Sequence, residues 1–174
     1  MKARSTSSAS AIFALSLFLS ACGYHAVSGR GGEAFHVALA KSGPVRSEVR
    51  REVELGIRDA LVKEDALLVG DGYPALEYEV LDSLDAPTAI GAIGGTPSAG
   101  GVRVRLRGRA WIRKSKDAEP ERDTGDRSSE SVVAAEGTAL GANAELRGGE
   151  LAAARTLGIE LARSVLGVAN VAGE

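Results

Sequence analysis

The sequence is short of the residues that most often carry chemistry. A single cysteine among 174 residues excludes an intramolecular disulfide and a thiolate metal cluster. Aromatic residues make up only 4% of the chain, which argues against a stacking platform for nucleic-acid bases. Of the two histidines, neither His25 nor His36 has further ligand residues at a metal-binding spacing. We therefore expect no metal site and no nucleic-acid partner.

The motifs of common enzyme classes are also missing. The sequence contains no GxxxxGK[ST] phosphate loop and no GxSxG nucleophile elbow. The acidic run 117–126 lacks the spacing of a calcium loop. The sequence therefore predicts a protein that is not an enzyme, with no catalytic residue and no bound cofactor.

The N-terminal 21 residues have the layout of a secretory signal. Residues 1–10 are polar and carry two basic side chains without an acid, and residues 11–19 are apolar. This apolar run is too short for a transmembrane helix, which needs about 20 residues. We predict a signal peptide over residues 1–21.

The only cysteine, Cys22, closes this segment. The order Leu19-Ser20-Ala21-Cys22 resembles the bacterial lipobox, in which the thiol receives a diacylglycerol and the new N-terminus an acyl chain. Two or more acyl chains give stable anchoring. Gly23, in place of the Asp that usually signals inner-membrane retention, favours the outer membrane. We predict lipid attachment at Cys22 and a flexible tether over residues 22–34; the alternative is an ordinary signal peptide with an incidental cysteine.

Residues 35–170 read as a single α+β domain. Alternating and helical hydrophobic periodicities give the order β-α-β-β-β-α. Each helix must bury one apolar stripe, so we expect a two-layer sandwich in which both helices pack on one face of a four-stranded, mostly antiparallel sheet. The predicted elements are strands over 35–40, 75–84, 102–114 and 131–140, helices over 45–63 and from a cap at Asn143, a flexible loop over 88–101, and an exposed tip over 116–130.

The third strand carries the strongest charge pattern. Residues 102–116 hold seven basic residues and no acid, although the whole chain has a formal charge of −2. Alternation places the apolar residues toward the helices and the basic ones on the opposite face, at about 6.6–6.8 Å spacing. The outward set is Arg103, Arg105, Arg107, Arg109, Trp111 and Arg113.

Two interpretations of this arginine row remain open. Neighbouring arginines repel by about 0.6–0.7 kcal/mol in water, and an anionic partner would convert that repulsion into binding. Arginine forks suit the phosphates of a lipid or the carboxylates of an acidic protein. Alternatively, the row is simply solvated and partly neutralised by Glu77 and Glu79 on the neighbouring strand.

The order Cys22-Gly23-Tyr24-His25 after a signal peptide, followed by strand, helix, three strands and helix, resembles the lipopolysaccharide (LPS)-assembly lipoprotein family LptE. The resemblance covers essentially the whole mature chain. It implies a lipid-anchored domain on the periplasmic side of the outer membrane, which plugs the LptD β-barrel, promotes its assembly and helps deliver LPS to the outer leaflet. Basic residues of the family have been linked to LPS binding. On physical grounds we expect that role at Arg103, Arg105, Arg107, Arg109 and Arg113.

An auxiliary lipoprotein of an ABC-type envelope lipid-transport system is the alternative. Such a protein would share the lipobox and a small α+β domain, and would bridge other proteins without binding LPS. The protein that accompanies this chain through purification distinguishes the two functions.

Overall fold

The computed structural model describes residues 32–93, 96–134 and 139–168. The predicted signal peptide, Cys22 and most of the predicted tether lie outside these residues. The elements are β1 (His36–Lys41), α1 (Ser47–Lys63), β2 (Ala75–Ile93), β3 (Thr96–Arg113), β4 (Arg127–Val133) and α2 (Ala139–Leu166).

The four strands form one sheet in the order β1-β2-β3-β4. β1 runs parallel to β2, and the other two pairings are antiparallel. The α+β fold with β-α-β-β-β-α order is therefore confirmed. The parallel pairing follows from the connection between the first two strands, because α1 carries the chain back before β2 begins.

Both helices bury a stripe whose members recur at three- and four-residue steps. The two stripes pack against each other, and that of α2 also packs on β3, so that the core contains the inward side chains of the sheet. The buried stripes are Val49, Val53, Ile57 and Leu61 in α1, and Ala154, Leu157, Leu161 and Val165 in α2.

Two glycines set the distance between the helices. A Cβ added at Gly56 would overlap the carbonyl oxygen of Arg155, and one added at Gly158 would overlap that of Val53. Only a residue without a side chain allows the two backbones to approach this closely. Gly158 therefore serves helix packing, although glycine lowers helix propensity.

The predicted flexible loop over residues 88–101 is wrong. β2 and β3 stay paired as far as Ile93 and Thr96, well beyond the part of the sheet that β4 joins, which ends where Val102 pairs with Val133. The five glycines of this segment concealed the strands, because glycine carries no alternating side-chain signal. Backbone hydrogen bonds between the two strands form without that signal.

The fourth strand and the last helix also begin earlier than predicted. β4 covers Arg127–Val133 rather than residues 131–140, and α2 begins at Ala139, so Asn143 lies inside the helix and does not cap it. The predicted exposed tip over 116–130 ends early for the same reason. Part of it folds back along β3, where Glu121 exchanges two backbone hydrogen bonds with Ile112 at 2.7 and 2.8 Å.

Neither helix of the described residues is long and apolar enough to cross a membrane.

Candidate functional site

The side chains of β3 separate between the two faces of the sheet. The apolar set lies beneath the helices and is almost completely buried: Val104, Leu106, Ala110 and Ile112. The opposite face carries the arginine row predicted from the sequence: Arg103, Arg105, Arg107, Arg109 and Arg113. The row is therefore accessible from the side of the sheet that the helices leave uncovered.

All five arginines have acidic partners within the chain, and Glu77 is one of the two partners expected from the sequence. Glu77 is almost buried and accepts hydrogen bonds from Arg113 Nε at 3.0 Å and from Trp111 Nε1 at 2.8 Å. Glu79 lies opposite Arg109, but that guanidinium donates to Asp123 instead. Intramolecular neutralisation is thus real, and it reaches further than the sequence indicated.

Arg107, Arg109 and Arg113 are each held by a carboxylate through several hydrogen bonds, and we call this part of the row the closed half. Arg107 Nε donates to both oxygens of Asp82, at 3.0 and 2.9 Å. Arg109 Nε donates to both oxygens of Asp123, at 2.8 and 3.0 Å. These forked contacts have the geometry of strong charge-assisted pairs.

The closed half also changes the acidity of its carboxyls. Hydrogen bonds from Arg107 hold the pKa of Asp82 below its usual range. Hydrogen bonds from Arg109, with a further one from the backbone of Gly125, do the same to the pKa of Asp123. Both carboxylates therefore stay ionised at mildly acidic pH.

A bulge in β2 brings Asp82 to Arg107. The register of β2 against β3 shifts between Val80 and Asp82, at the position where Leu81 breaks the alternation in the sequence. Before the bulge, odd-numbered residues of β2 face outward; after it, even-numbered residues do. Asp82 thus lies directly opposite Arg107, while Ser83 turns toward the helices and donates to Glu150.

Arg103 and Arg105 form the other part of the row, which we call the open half. They share one carboxylate, Glu130 on β4, and each Nε lies 3.6 Å from one of its oxygens. Their side chains are 51% and 50% exposed. Their neighbours on β2 are the uncharged Leu84 and Ala86.

The open half therefore keeps a net positive charge, because two guanidinium groups face one carboxylate. A distance of 3.6 Å is also longer than a hydrogen bond, so Glu130 offers attraction without the forked geometry of the closed half. Arg105 Nη2 donates to the hydroxyl of Ser128 at 3.3 Å, and an anion approaching this end of the sheet meets the other exposed N–H groups of the two arginines. At the other end the Nε donors of Arg107, Arg109 and Arg113 already donate to carboxylates.

A polar cleft lies on the helix side of the sheet. It encloses about 530 Å³ and is lined by Arg46, Ser83, Asp85 and Glu150 among others. Arg46 and Ser83 both donate to Glu150, which lies almost buried between them. These hydrogen bonds join the start of α1 to β2 and α2. The polar residues of the cleft therefore hold the helix layer on the sheet.

The sequence alone did not predict three of the acids that pair with the arginine row, namely Asp82, Asp123 and Glu130. The broken alternation at Leu81 was the available signal for Asp82, since a bulge there reverses the outward parity. Asp123 and Glu130 lay inside the predicted exposed tip. Within the described residues, no three His, Cys, Asp or Glu side chains come close enough together to hold a metal ion.

Three solved structures are similar to this chain. A provisionally assigned lipoprotein from Caulobacter crescentus CB15 has a TM-score of 0.53 and 12% identity, over 81% of this chain and 90% of that chain. A minor lipoprotein from Acinetobacter baumannii has a TM-score of 0.50 and 14% identity, over 78% and 94%. The rare lipoprotein B from Shewanella oneidensis has a TM-score of 0.42 and 15% identity, over 76% and 91%.

The first two similarities show that the fold is shared, with nearly the whole length of both solved chains covered. No protein-family model matches the sequence, and no curated protein matches it. At 12–14% identity the shared property is the arrangement of strands and helices.

Proposed function

We propose that this chain is an outer-membrane lipoprotein of the LptE type, anchored through lipid on Cys22 with its domain on the periplasmic side. The N-terminal signal and the Cys22-Gly23-Tyr24-His25 order support the anchor. The fold supports the assignment to this class of lipoprotein, because the solved chains from Caulobacter crescentus and Acinetobacter baumannii that share the fold are themselves lipoproteins. Its role is non-catalytic, as partner and plug of the LptD β-barrel in LPS delivery.

The open half of the arginine row carries the proposed LPS contact. LPS combines phosphate groups with acyl chains, and Arg103 and Arg105 offer half-exposed guanidinium donors beside uncharged neighbours. Arginine forks bind phosphate through charge-assisted hydrogen bonds. The closed half, in which Arg107, Arg109 and Arg113 are engaged by the chain's own acids, contributes rigidity to the sheet.

Co-purification from detergent extracts tests the proposed partner. The full chain, expressed with its own N-terminus in its native host, should bring down a large outer-membrane β-barrel. A Cys22→Ser variant should remain unprocessed, take up no radioactive fatty acid and recover far less barrel. The matched control is Ser20→Ala, which alters the same segment and keeps the thiol.

Recovery of an inner-membrane transporter complex would instead identify an auxiliary lipoprotein of an ABC-type system. Normal fatty-acid labelling of the Cys22→Ser variant would contradict the anchor itself.

A further inference from the structure

We propose that Glu130 is an internal counter-ion of the open half, which the phosphate group of an amphiphilic lipid replaces while the lipid's apolar part covers Leu84 and Val132. This inference rests on the proposed LPS contact and assigns it a defined place. It also gives Glu130 a specific role, that of setting the affinity of the site.

The register of the sheet places the necessary groups in two adjacent rows. In the first, Leu84, Arg105 and Glu130 lie side by side on β2, β3 and β4. In the second, Arg103 lies between Ala86 and Val132. Residues directly opposite each other across a sheet have Cβ atoms about 4.5–5.5 Å apart. All of these side chains project from the face away from the helices.

The two arginines are spaced for one phosphate. Residues two apart on a strand lie about 6.6–6.8 Å from each other, and both guanidinium groups already converge on the single carboxylate of Glu130. A phosphate monoester carries about −1.5 to −2 charges at neutral pH and three acceptor oxygens. It therefore neutralises both arginines, which one carboxylate does not.

Glu130 is free to leave this position. Its side chain is 43% exposed and lies on β4, at the end of the strand order. Its contacts with Arg103 and Arg105 are ion pairs at 3.6 Å rather than hydrogen bonds. Exposed ion pairs of this kind contribute little to stability, so their exchange for a forked phosphate contact is favourable.

Two large apolar side chains flank this charge and have no cover within the described residues. Leu84 is 56% exposed beside Arg105, and Val132 is 61% exposed beside Arg103. An inorganic anion would leave both in water. A lipid whose chains begin next to its phosphate would cover them, and this is the reason for assigning an amphiphile to the site.

Binding to vesicles tests the proposal. Phosphatidylcholine vesicles with and without added lipid A are titrated with the full chain and with a Glu130→Gln variant, at low salt. Removal of the competing carboxylate should strengthen binding to the lipid A vesicles about fivefold, equivalent to about 1 kcal/mol. A Leu84→Ser/Val132→Ser variant, which keeps every charge, should weaken vesicle binding and leave binding of inorganic phosphate unchanged.

A matched control separates this effect from net charge. Glu48→Gln changes the charge by the same amount in the first turn of α1, on the helix side of the sheet, and should leave the affinity unchanged. Equal strengthening by both variants would overturn the assigned role of Glu130.

Three further outcomes are decisive. If the wild type binds lipid A vesicles and Glu130→Gln binds them no more tightly, this inference is overturned and the LPS contact stands. Absence of lipid A binding by wild type and variant alike would overturn both, and competition by inorganic phosphate as strong as by lipid A would overturn the lipid assignment.

Discussion

The closed and open halves of the arginine row use the same residue, on the same strand, at the same spacing, and differ in what lies beside them. β2 places Glu79 and Asp82 opposite the closed half and Leu84 and Ala86 opposite the open half. Since the bulge after Val80 decides which side chains of β2 face outward, it also decides where the positive charge of β3 remains available. The positive charge of β3 therefore remains available where two arginines share one carboxylate, Glu130, and is neutralised where each arginine has a carboxylate of its own.

The largest effect on stability should come from disrupting the packing of α2 beneath β3, because β3 carries both halves of the arginine row. Leu161 is completely buried in the stripe of α2, and its side chain lies close to β3 at Gly108. Leu161→Asp buries a charge and deletes apolar contacts, which should cost about 4 kcal/mol or more and abolish the cooperative urea transition seen by circular dichroism.

Val62→Asp is the matched control, because Val62 is an exposed residue of α1. Its transition should shift little. A Leu161→Asp protein that unfolds like the wild type would show that this face of α2 does not pack on the sheet.

The next largest effect should distinguish the closed half from ordinary surface pairs. Glu77→Ala leaves Arg113 and Trp111 without their shared, almost buried acceptor, and should lower the free energy of unfolding by about 2 kcal/mol. Glu79→Ala, on the same strand and face, should cost less than about 1 kcal/mol, because Arg109 is held by Asp123. Equal urea midpoints for the two variants would show that the contacts of Glu77 stabilise the fold no more than an ordinary surface ion pair does.

A smaller effect should appear in acid. The pKa values of Asp82 and Asp123 are lowered in the folded chain, mainly by hydrogen bonds from Arg107 and Arg109. The unfolded chain, with an Asp pKa of about 3.9, therefore binds more protons, and the stability from these pairs is present above about pH 4 and lost as the pH falls through the folded values.

An Asp82→Asn/Asp123→Asn variant should consequently be less stable at pH 7 and lose less stability on acidification. Urea midpoints between pH 2 and pH 7 measure this. Parallel curves for the variant and the wild type would mean that the two pairs do not stabilise the folded state.

The element order and the alternation of β3 could be predicted because both depend on local periodicity. The arginines faced away from the helices as predicted, since every second residue of the strand is apolar and buried. Their partners depend on register, which is a property of two strands together. Glu130 was assigned to a loop because the apolar residues of β4 are few, and Asp123 reaches Arg109 only because the chain folds back along β3.

The smallest effect on stability should come from the open half. Glu130→Gln removes exposed ion pairs at 3.6 Å, and the free energy of unfolding should change by less than about 0.5 kcal/mol. Urea unfolding of this variant beside Glu77→Ala sharpens the contrast. A loss of about 2 kcal/mol would show that Glu130 is a structural residue like Glu77.

LPS binding by two matched variants measures whether the open half, and not the closed half, contacts LPS. Arg103→Gln/Arg105→Gln removes the two arginines of the open half. Arg107→Gln/Arg109→Gln/Asp82→Asn/Asp123→Asn removes two arginines of the closed half together with the acids that hold them, so that no carboxylate is left unpaired. Loss of charged hydrogen bonds to phosphate should weaken binding of LPS by the first variant at least about tenfold, and reduce its salt dependence. The second variant should bind within about threefold of the wild type, because the arginines that it lacks are engaged by Asp82 and Asp123 in the wild type. Equal losses in the two variants, or a larger loss in the second, would contradict the account.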